Sequence, residues 1–215
     1  MTAFGYPVFL ELVGHRCVVV GADAVSEGKV EGLLAAGADD VLVLATGPEA
    51  RLAELERVDG VAVERRPWLP GDLDGALLVV ASSRDQAERA AIAREARSRK
   101  ALVNVVDDVP NCDWAAPAIV RRGDLVVAVG TGGASPALAR KLREQIERWY
   151  GPEWAEVVAV LGRVRAETMS SLPFAERSRR WRDALDPDEA AELVREGRVE
   201  ELEARLRSRL LGVTA

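Results

Sequence analysis

The stretch CVVVGADAVSEGK, residues 17–29, passes from a β-branched apolar run through small residues into helix-forming sequence, and its reading decides the fold. A continuous apolar run of this kind suits a parallel strand buried on both faces, and the change to helical spacing directly after it marks a βα turn. In a dinucleotide-binding turn of the G-x-G-x-x-G/A type, the first glycine makes the tight bend and the second admits the pyrophosphate to the backbone. The third small residue packs helix against strand. Here the three positions are Gly21, Asp23 and Ser26. Asp23 places an anion where a dianionic pyrophosphate would meet a helix N-terminus, and aspartate is itself a favoured N-cap. Two readings stand side by side: an NAD site over Gly21, Ala22, Asp23, Ala24 and Val25 whose affinity Asp23 reduces, or a plain strand-turn-helix without a cofactor.

Outward from this turn the chain alternates strand and helix. Before it, Tyr6 to Leu12 reads as a strand or as an arm against the main sheet. After Arg16 to Val20, a helix from Ala24 to Ala36 carries Val25, Val30, Leu33 and Leu34 as apolar positions, with Gly37 where a C-terminal cap belongs. Strands follow at 41–44, 61–64, 76–81 and 101–106, and helices at 49–57 and 85–98; the apolar–polar alternation of 61–64 suits an outer strand. This order predicts a Rossmann-like, doubly wound, mostly parallel α/β sheet with a crevice at the carboxyl ends of its strands. Past Asp107 the pattern changes to a hairpin, 117–121 and 125–129, and then to a long helix opened by Ser135 and Pro136. From Pro152 onward the sequence is helical, with a break at Gly197. A domain boundary is expected near residues 110–115.

A chain of 215 residues with 48% hydrophobic and 30% charged residues is ordinary globular protein. Its net charge of -6 argues against a nucleic-acid partner, which needs a basic surface. Two cysteines, Cys17 and Cys112, form neither a zinc spacing nor a disulfide framework and suit a reducing cytoplasm. The opening MTAFGYPVFLEL lacks a basic n-region and a long apolar core, so a soluble, unprocessed chain away from membranes is expected. His15 is the single histidine, and no His/Cys cluster is present to hold a permanent metal.

Other residues fall where chemistry can occur. Thr46 and Gly47 end the second strand without the acidic residue that commonly holds an adenosine ribose, so they would contact that sugar of the cofactor through hydroxyl and backbone. Ser82 and Ser83 follow the fourth strand, at the carboxyl edge where nicotinamide-side cofactor contacts sit, Ser83 reading more simply as part of a helix cap. Asn104 and Asp107, in the run NVVDD, close the fifth strand on the same edge; Asp107 reads as a general base or metal-approach ligand, or as ordinary turn chemistry. The loop Gly130 to Ser135, with the hydroxyls of Thr131 and Ser135 and the flexible Gly132 and Gly133, reads as a carboxylate-binding loop or as a helix cap. Arg121, Arg122 and Arg140 lie near it in sequence.

Taken together, YPVFLEL, VVVGADAVSEGKVEGLLAAGA, DLDGALLVVASSRD, LVNVVDD and CDWAAPAIVRRGDLVVAVGTGGASPALARKLRE resemble the precorrin-2 dehydrogenase/sirohydrochlorin ferrochelatase family, over about residues 6–165. The resemblance implies a Rossmann-like NAD-binding domain over 1–113, a dimerisation region over 114–150 and a helical C-terminal domain over 151–215. It implies a homodimer that binds a tetrapyrrole, oxidises precorrin-2 to sirohydrochlorin with NAD, and in many members inserts ferrous iron as a substrate metal. It implies Asp107 as general base, and Asn104, Thr131, Gly132, Gly133 and Ser135 on the substrate side. The family's usual Gly-Gly-Gly is replaced by Gly21, Ala22 and Asp23, which implies weakened dehydrogenation with chelation preserved. The alternative is a non-catalytic Rossmann module that binds a tetrapyrrole or nucleotide for sensing or delivery.

Overall fold

The computed structural model describes residues 4–21, 23–46 and 52–212. The chain divides into two compact units, residues 1–116 and 117–215. Within the first, β1 (Arg16–Val20), β2 (Asp40–Leu44), β3 (Val61–Glu64), β4 (Ala76–Ala81) and β5 (Leu102–Val105) form one parallel sheet in the order β3-β2-β1-β4-β5. The Rossmann-like architecture is therefore present, and β3 is an outer strand as its alternation suggested.

The sheet is buried on both sides because successive residues of its central strands feed different cores. Val18 and Val20 of β1 pack with Leu42, Leu44, Val79 and Ala81 against Ile92, Ala93 and Ala96 of α3 (Gln86–Ser98). Cys17 and Val19 pack with Val41, Val43, Leu78 and Val80 against Val30 and Leu33 of α1 (Ala24–Ala35). Period-two alternation thus serves two apolar faces, and α1 and α3 lie on opposite ones. The order reverses between β1 and β4, so their carboxyl ends splay around a crevice there.

Several local expectations are corrected. Residues 7–12 form no strand; Leu12 alone reaches the core, while Tyr6 and Phe9 are exposed. Val25 lies outside the apolar face of α1 and is exposed. The helix expected over 49–57 is seen as α2 (Leu52–Leu55), part of the stretch lying outside the described residues.

α1 ends in a Schellman arrangement, with Ala38 N–H donating to Leu33 C=O and Gly37 N–H to Leu34 C=O, and with Gly37 at φ +90°. The end of α3 repeats it with Lys100 at φ +65° in place of glycine, its N–H donating to Arg97 C=O and that of Ala101 to Ala96 C=O. A side chain in the left-handed region costs about 1 kcal/mol or more. Lys100→Gly is therefore expected to stabilise the protein by roughly 1 kcal/mol, read as a shift of the urea midpoint at unchanged slope.

In the second unit, β6 (Ala118–Arg122) and β7 (Leu125–Val129) pair antiparallel, followed by α4 (Pro136–Trp149). The remainder is helical: α5 (Glu153–Ser171), α6 (Phe174–Ala184), α7 (Pro187–Arg195) and α8 (Val199–Leu211), around a core of Val157, Val160, Val164, Leu193, Leu202, Leu206 and Leu210. Gly197 at φ +73° makes the break between α7 and α8. Among the described residues no helix is long and apolar enough to cross a membrane.

Candidate active site

β1, β2, β4 and β5 deliver Asp23, Thr46, Ser82 and Asp107 to the carboxyl edge of the sheet, because each follows directly on the end of a parallel strand. Gly21 makes the first bend. Its N–H donates to Leu44 C=O at 2.9 Å, and with φ +143° a Cβ would come within 2.6 Å of Ser26 Oγ and 2.7 Å of the Ser82 carbonyl oxygen. Gly21→Ala is expected to destabilise by about 1–3 kcal/mol, measured by denaturant unfolding, since backbone and neighbours must shift to admit the methyl.

Asp23 is the N-cap of α1. One carboxylate oxygen accepts the Ser26 N–H at 2.9 Å and the Ser26 hydroxyl at 2.7 Å, and the Ser82 hydroxyl donates to both oxygens at 3.0 and 3.1 Å. Partial burial works against its charge, yet the bonds from Ser26, Ser82 and Val25 outweigh that and hold the carboxyl below the usual carboxylate range. At neutral pH the N-terminus of α1 therefore already carries an anion, and Ser82, expected on the cofactor side, is one of its donors. A pyrophosphate would need those donors and would be repelled by that charge, so the residues as arranged do not fit one. Ala24 and Val25 are exposed beside the turn, as is Thr46 beyond β2. Ala22 and Gly47 lie outside the described residues.

Asp107 sits one residue past the ladder, whose last bond runs from Val106 N–H to Ala81 C=O at 2.9 Å. Its side chain is exposed and its backbone adopts φ +57°, a left-handed conformation that aspartate tolerates better than most residues. Residues 108–114 then fold back along β5 and cover its free edge. Asp113 N–H donates to Val103 C=O at 2.7 Å and its carboxylate accepts the Val103 N–H at 3.1 Å. Cys112 Sγ accepts the Val105 N–H at 3.1 Å and lies 3.1 Å from the Val105 carbonyl oxygen. Asn104 donates to Trp114 C=O at 2.9 Å, and Trp114 Nε1 to Leu102 C=O at 3.2 Å. This strap satisfies an edge that would otherwise expose unpaired backbone groups. It also gives Asn104, expected on the substrate side, a place in the scaffold beneath Asp107.

Lys29, on the inner face of α1, comes to the same edge, half-buried, with its ammonium 6.0 Å from the centre of the Trp114 ring. Burial pushes its pKa down, while Cys112 and Asp107 act in the opposite direction. Sequence reading left Lys29 and Trp114 out of the site. The available signal was positional: residue 29 stands three after Ser26 and four before Leu33, on the helix face turned to the core, where a lysine is out of place.

Ser83 does not cap α3. Asp85 does, accepting the Ala87 N–H at 2.8 Å, while the Ser83 hydroxyl accepts the Asp85 N–H at 3.1 Å and donates to Glu88. In the second unit, Thr131 Oγ1 accepts the Ser135 N–H and donates to its carbonyl, both at 3.1 Å, and Ser135 caps α4 through the Leu138 N–H at 3.2 Å. Gly132 and Gly133 stand exposed at the tip of this closed loop. Arg122 donates to Tyr150 C=O at 2.9 Å and to Glu147 C=O, at the C-terminal end of α4. Among the described residues no cluster of three or more His, Cys, Asp or Glu could hold a metal ion.

Residues 8–118 match a family described as putative NAD(P)-binding, and residues 122–148 match the sirohaem biosynthesis protein central family. The chain is 37% identical over 197 residues to a siroheme synthase of Methylococcus capsulatus, covering 92% of this chain and 41% of the relative. It is 35% identical over 206 residues to a siroheme synthase of Azotobacter vinelandii, covering 96% and 44% respectively. The chain thus spans less than half the length of these curated relatives. In fold it resembles SirC, a precorrin-2 dehydrogenase, with a TM-score of 0.73 and 23% identity over 94% of this chain and 99% of that one.

Proposed function

We propose, from the premise that this chain belongs to the putative NAD(P)-binding family, that it is an enzyme of siroheme biosynthesis acting on a tetrapyrrole. Two reactions are assigned to it. The first is NAD-dependent oxidation of precorrin-2 to sirohydrochlorin, slowed by Asp23. The second is insertion of ferrous iron, the substrate metal, into sirohydrochlorin. The single observation carrying the reading is Asp107, an exposed carboxylate held in a left-handed backbone conformation at the carboxyl edge by the strap over β5. A left-handed residue at the carboxyl edge of the sheet supports reading that position as functional.

Metal insertion displaces two pyrrole N–H protons as the ion enters the macrocycle, and Asp107 takes up such a proton at its exposed oxygens. Asn104, on β5, holds the strap through Trp114 C=O, and the exposed backbone at Gly132 and Gly133, with Thr131 and Ser135 fixing that loop, offers amides to substrate carboxylates. We assign 114–150 to a homodimer contact and the protein to the cytoplasm, with neither nucleic acid nor membrane as partner.

The second reading, a non-catalytic module that binds a tetrapyrrole or nucleotide, is favoured by the way Asp23 occupies the phosphate position. An anaerobic assay separates the two. Sirohydrochlorin with Fe²⁺ or Co²⁺ is expected to be metallated readily and precorrin-2 with NAD to be oxidised slowly. Binding of sirohydrochlorin with turnover in neither assay would end the enzymatic reading.

A further inference from the structure

Arg89 stands on the inner face of α3, three residues before Ile92 and four before Ala93, both of them buried. It is half-buried near the start of the helix, and its Nη1 donates to Ser83 C=O at 2.7 Å. Ser83 is the neighbour of Ser82, whose hydroxyl holds Asp23, so the guanidinium is pinned to the turn that borders the crevice between β1 and β4. Its Nε is buried without a hydrogen-bond partner. Among the described residues Nη2 has no partner either, and no carboxylate pairs with Arg89. Arg97 and Arg99, at the other end of the helix, are by contrast both ion-paired, with Asp113 and with Asp74 and Glu95.

We propose that Arg89 binds a carboxylate of the macrocyclic substrate through its Nε–Nη2 edge; the inference rests on the reading of that substrate as a tetrapyrrole. A guanidinium offers its donors in a planar fork that matches a carboxylate, and with Nη1 engaged by Ser83 the Nε and Nη2 N–H groups are the pair left for it. A buried donor without an acceptor is costly, and the ligand supplies the missing acceptor. The same edge is otherwise acidic, with Asp23, Asp85, Asp107 and Asp108 in the turns that follow β1, β4 and β5, so a polycarboxylated ligand needs a fixed cation here. A dinucleotide phosphate shares this oxyanion chemistry, but Asp23 stands in its place beside Ser82.

Binding of uroporphyrin, a polycarboxylated porphyrin, and of its carboxamide, which keeps the ring and removes the charges, tests this by fluorescence without turnover. Arg89→Gln, checked for folding by circular dichroism, is expected to bind the acid about tenfold more weakly, and the carboxamide as the unmodified protein does. Arg89→Lys keeps the charge without the fork and is expected to recover only part of the loss. Arg16→Gln, which removes the other orphaned guanidinium nitrogen at the amino end of β1, is expected to change neither affinity. Equal affinity of Arg89→Gln and the unmodified protein for uroporphyrin would overturn the inference, as would an equal loss for the carboxamide, which would mark Arg89 as structural. A loss confined to NAD, titrated into the same variants, would assign the guanidinium to a phosphate and overturn it too. If the unmodified protein binds no polycarboxylated porphyrin at all, the tetrapyrrole reading itself falls, an outcome distinct from these.

Discussion

Replacing Asp107 with asparagine is expected to lower metallation of sirohydrochlorin by about a hundredfold to ten-thousandfold, the usual worth of a positioned proton acceptor. Asparagine is the informative substitution because position 107 is left-handed, at φ +57°. Asparagine adopts that region as readily as aspartate, whereas alanine would add about 1 kcal/mol of backbone strain to the lost chemistry. The strap is held by Asn104, Cys112, Asp113 and Trp114, none of which bonds the Asp107 side chain, so the edge of β5 should survive the change. The expected signature is a fallen kcat with an unaltered unfolding midpoint. A variant that chelates at the unmodified rate would remove Asp107 from the reaction.

Asp23→Asn and Asp23→Gly are expected to strengthen NAD binding by about tenfold or more. Like charges about 4 Å apart repel by roughly 1 kcal/mol in water and about 4 kcal/mol near a protein surface, and each 1.4 kcal/mol is about a factor of ten in affinity. The two variants separate charge from space. Asparagine retains an N-cap oxygen for Ser26, so its gain reports the charge alone; glycine also frees the Ser26 and Ser82 donors for a phosphate. Loss of the cap costs only a few tenths of a kcal/mol when glycine replaces it, so α1 should persist in both. Calorimetric titration of NAD into each variant measures the gain, and equal affinities across all three proteins would show that Asp23 yields its place without cost.

The sheet was legible because its evidence is local. β1 and β4 are unbroken apolar runs of the length a strand needs, and the turn residues between elements announce where each stops. Asp23 was legible as an N-cap for the same reason, its partner Ser26 lying three residues away. What sequence could not give was pairing across distance. Ser82 meets Asp23 only because β4 lies beside β1, a fact of strand order. The strap over β5 uses Cys112 and Asp113 side chains in place of a sixth strand, and no periodicity marks side chains that imitate a backbone ladder. Ser83 and the strand alternative for Tyr6 to Leu12 misled for a related reason: composition suits a cap and a strand, but a nearer Asp85 caps the helix, and of Tyr6 to Leu12 only Leu12 joins the sheet's core.

The central claim is that the N-terminus of α1 is already held by the Asp23 carboxylate, with Ser26 and Ser82 as its donors, so that a dinucleotide must displace it. Titration of NAD into the unmodified protein, followed by calorimetry at neutral pH and low salt, tests this most directly. The account predicts weak binding, well outside the micromolar range, that strengthens in Asp23→Gly. A micromolar dissociation constant for the unmodified chain would contradict it.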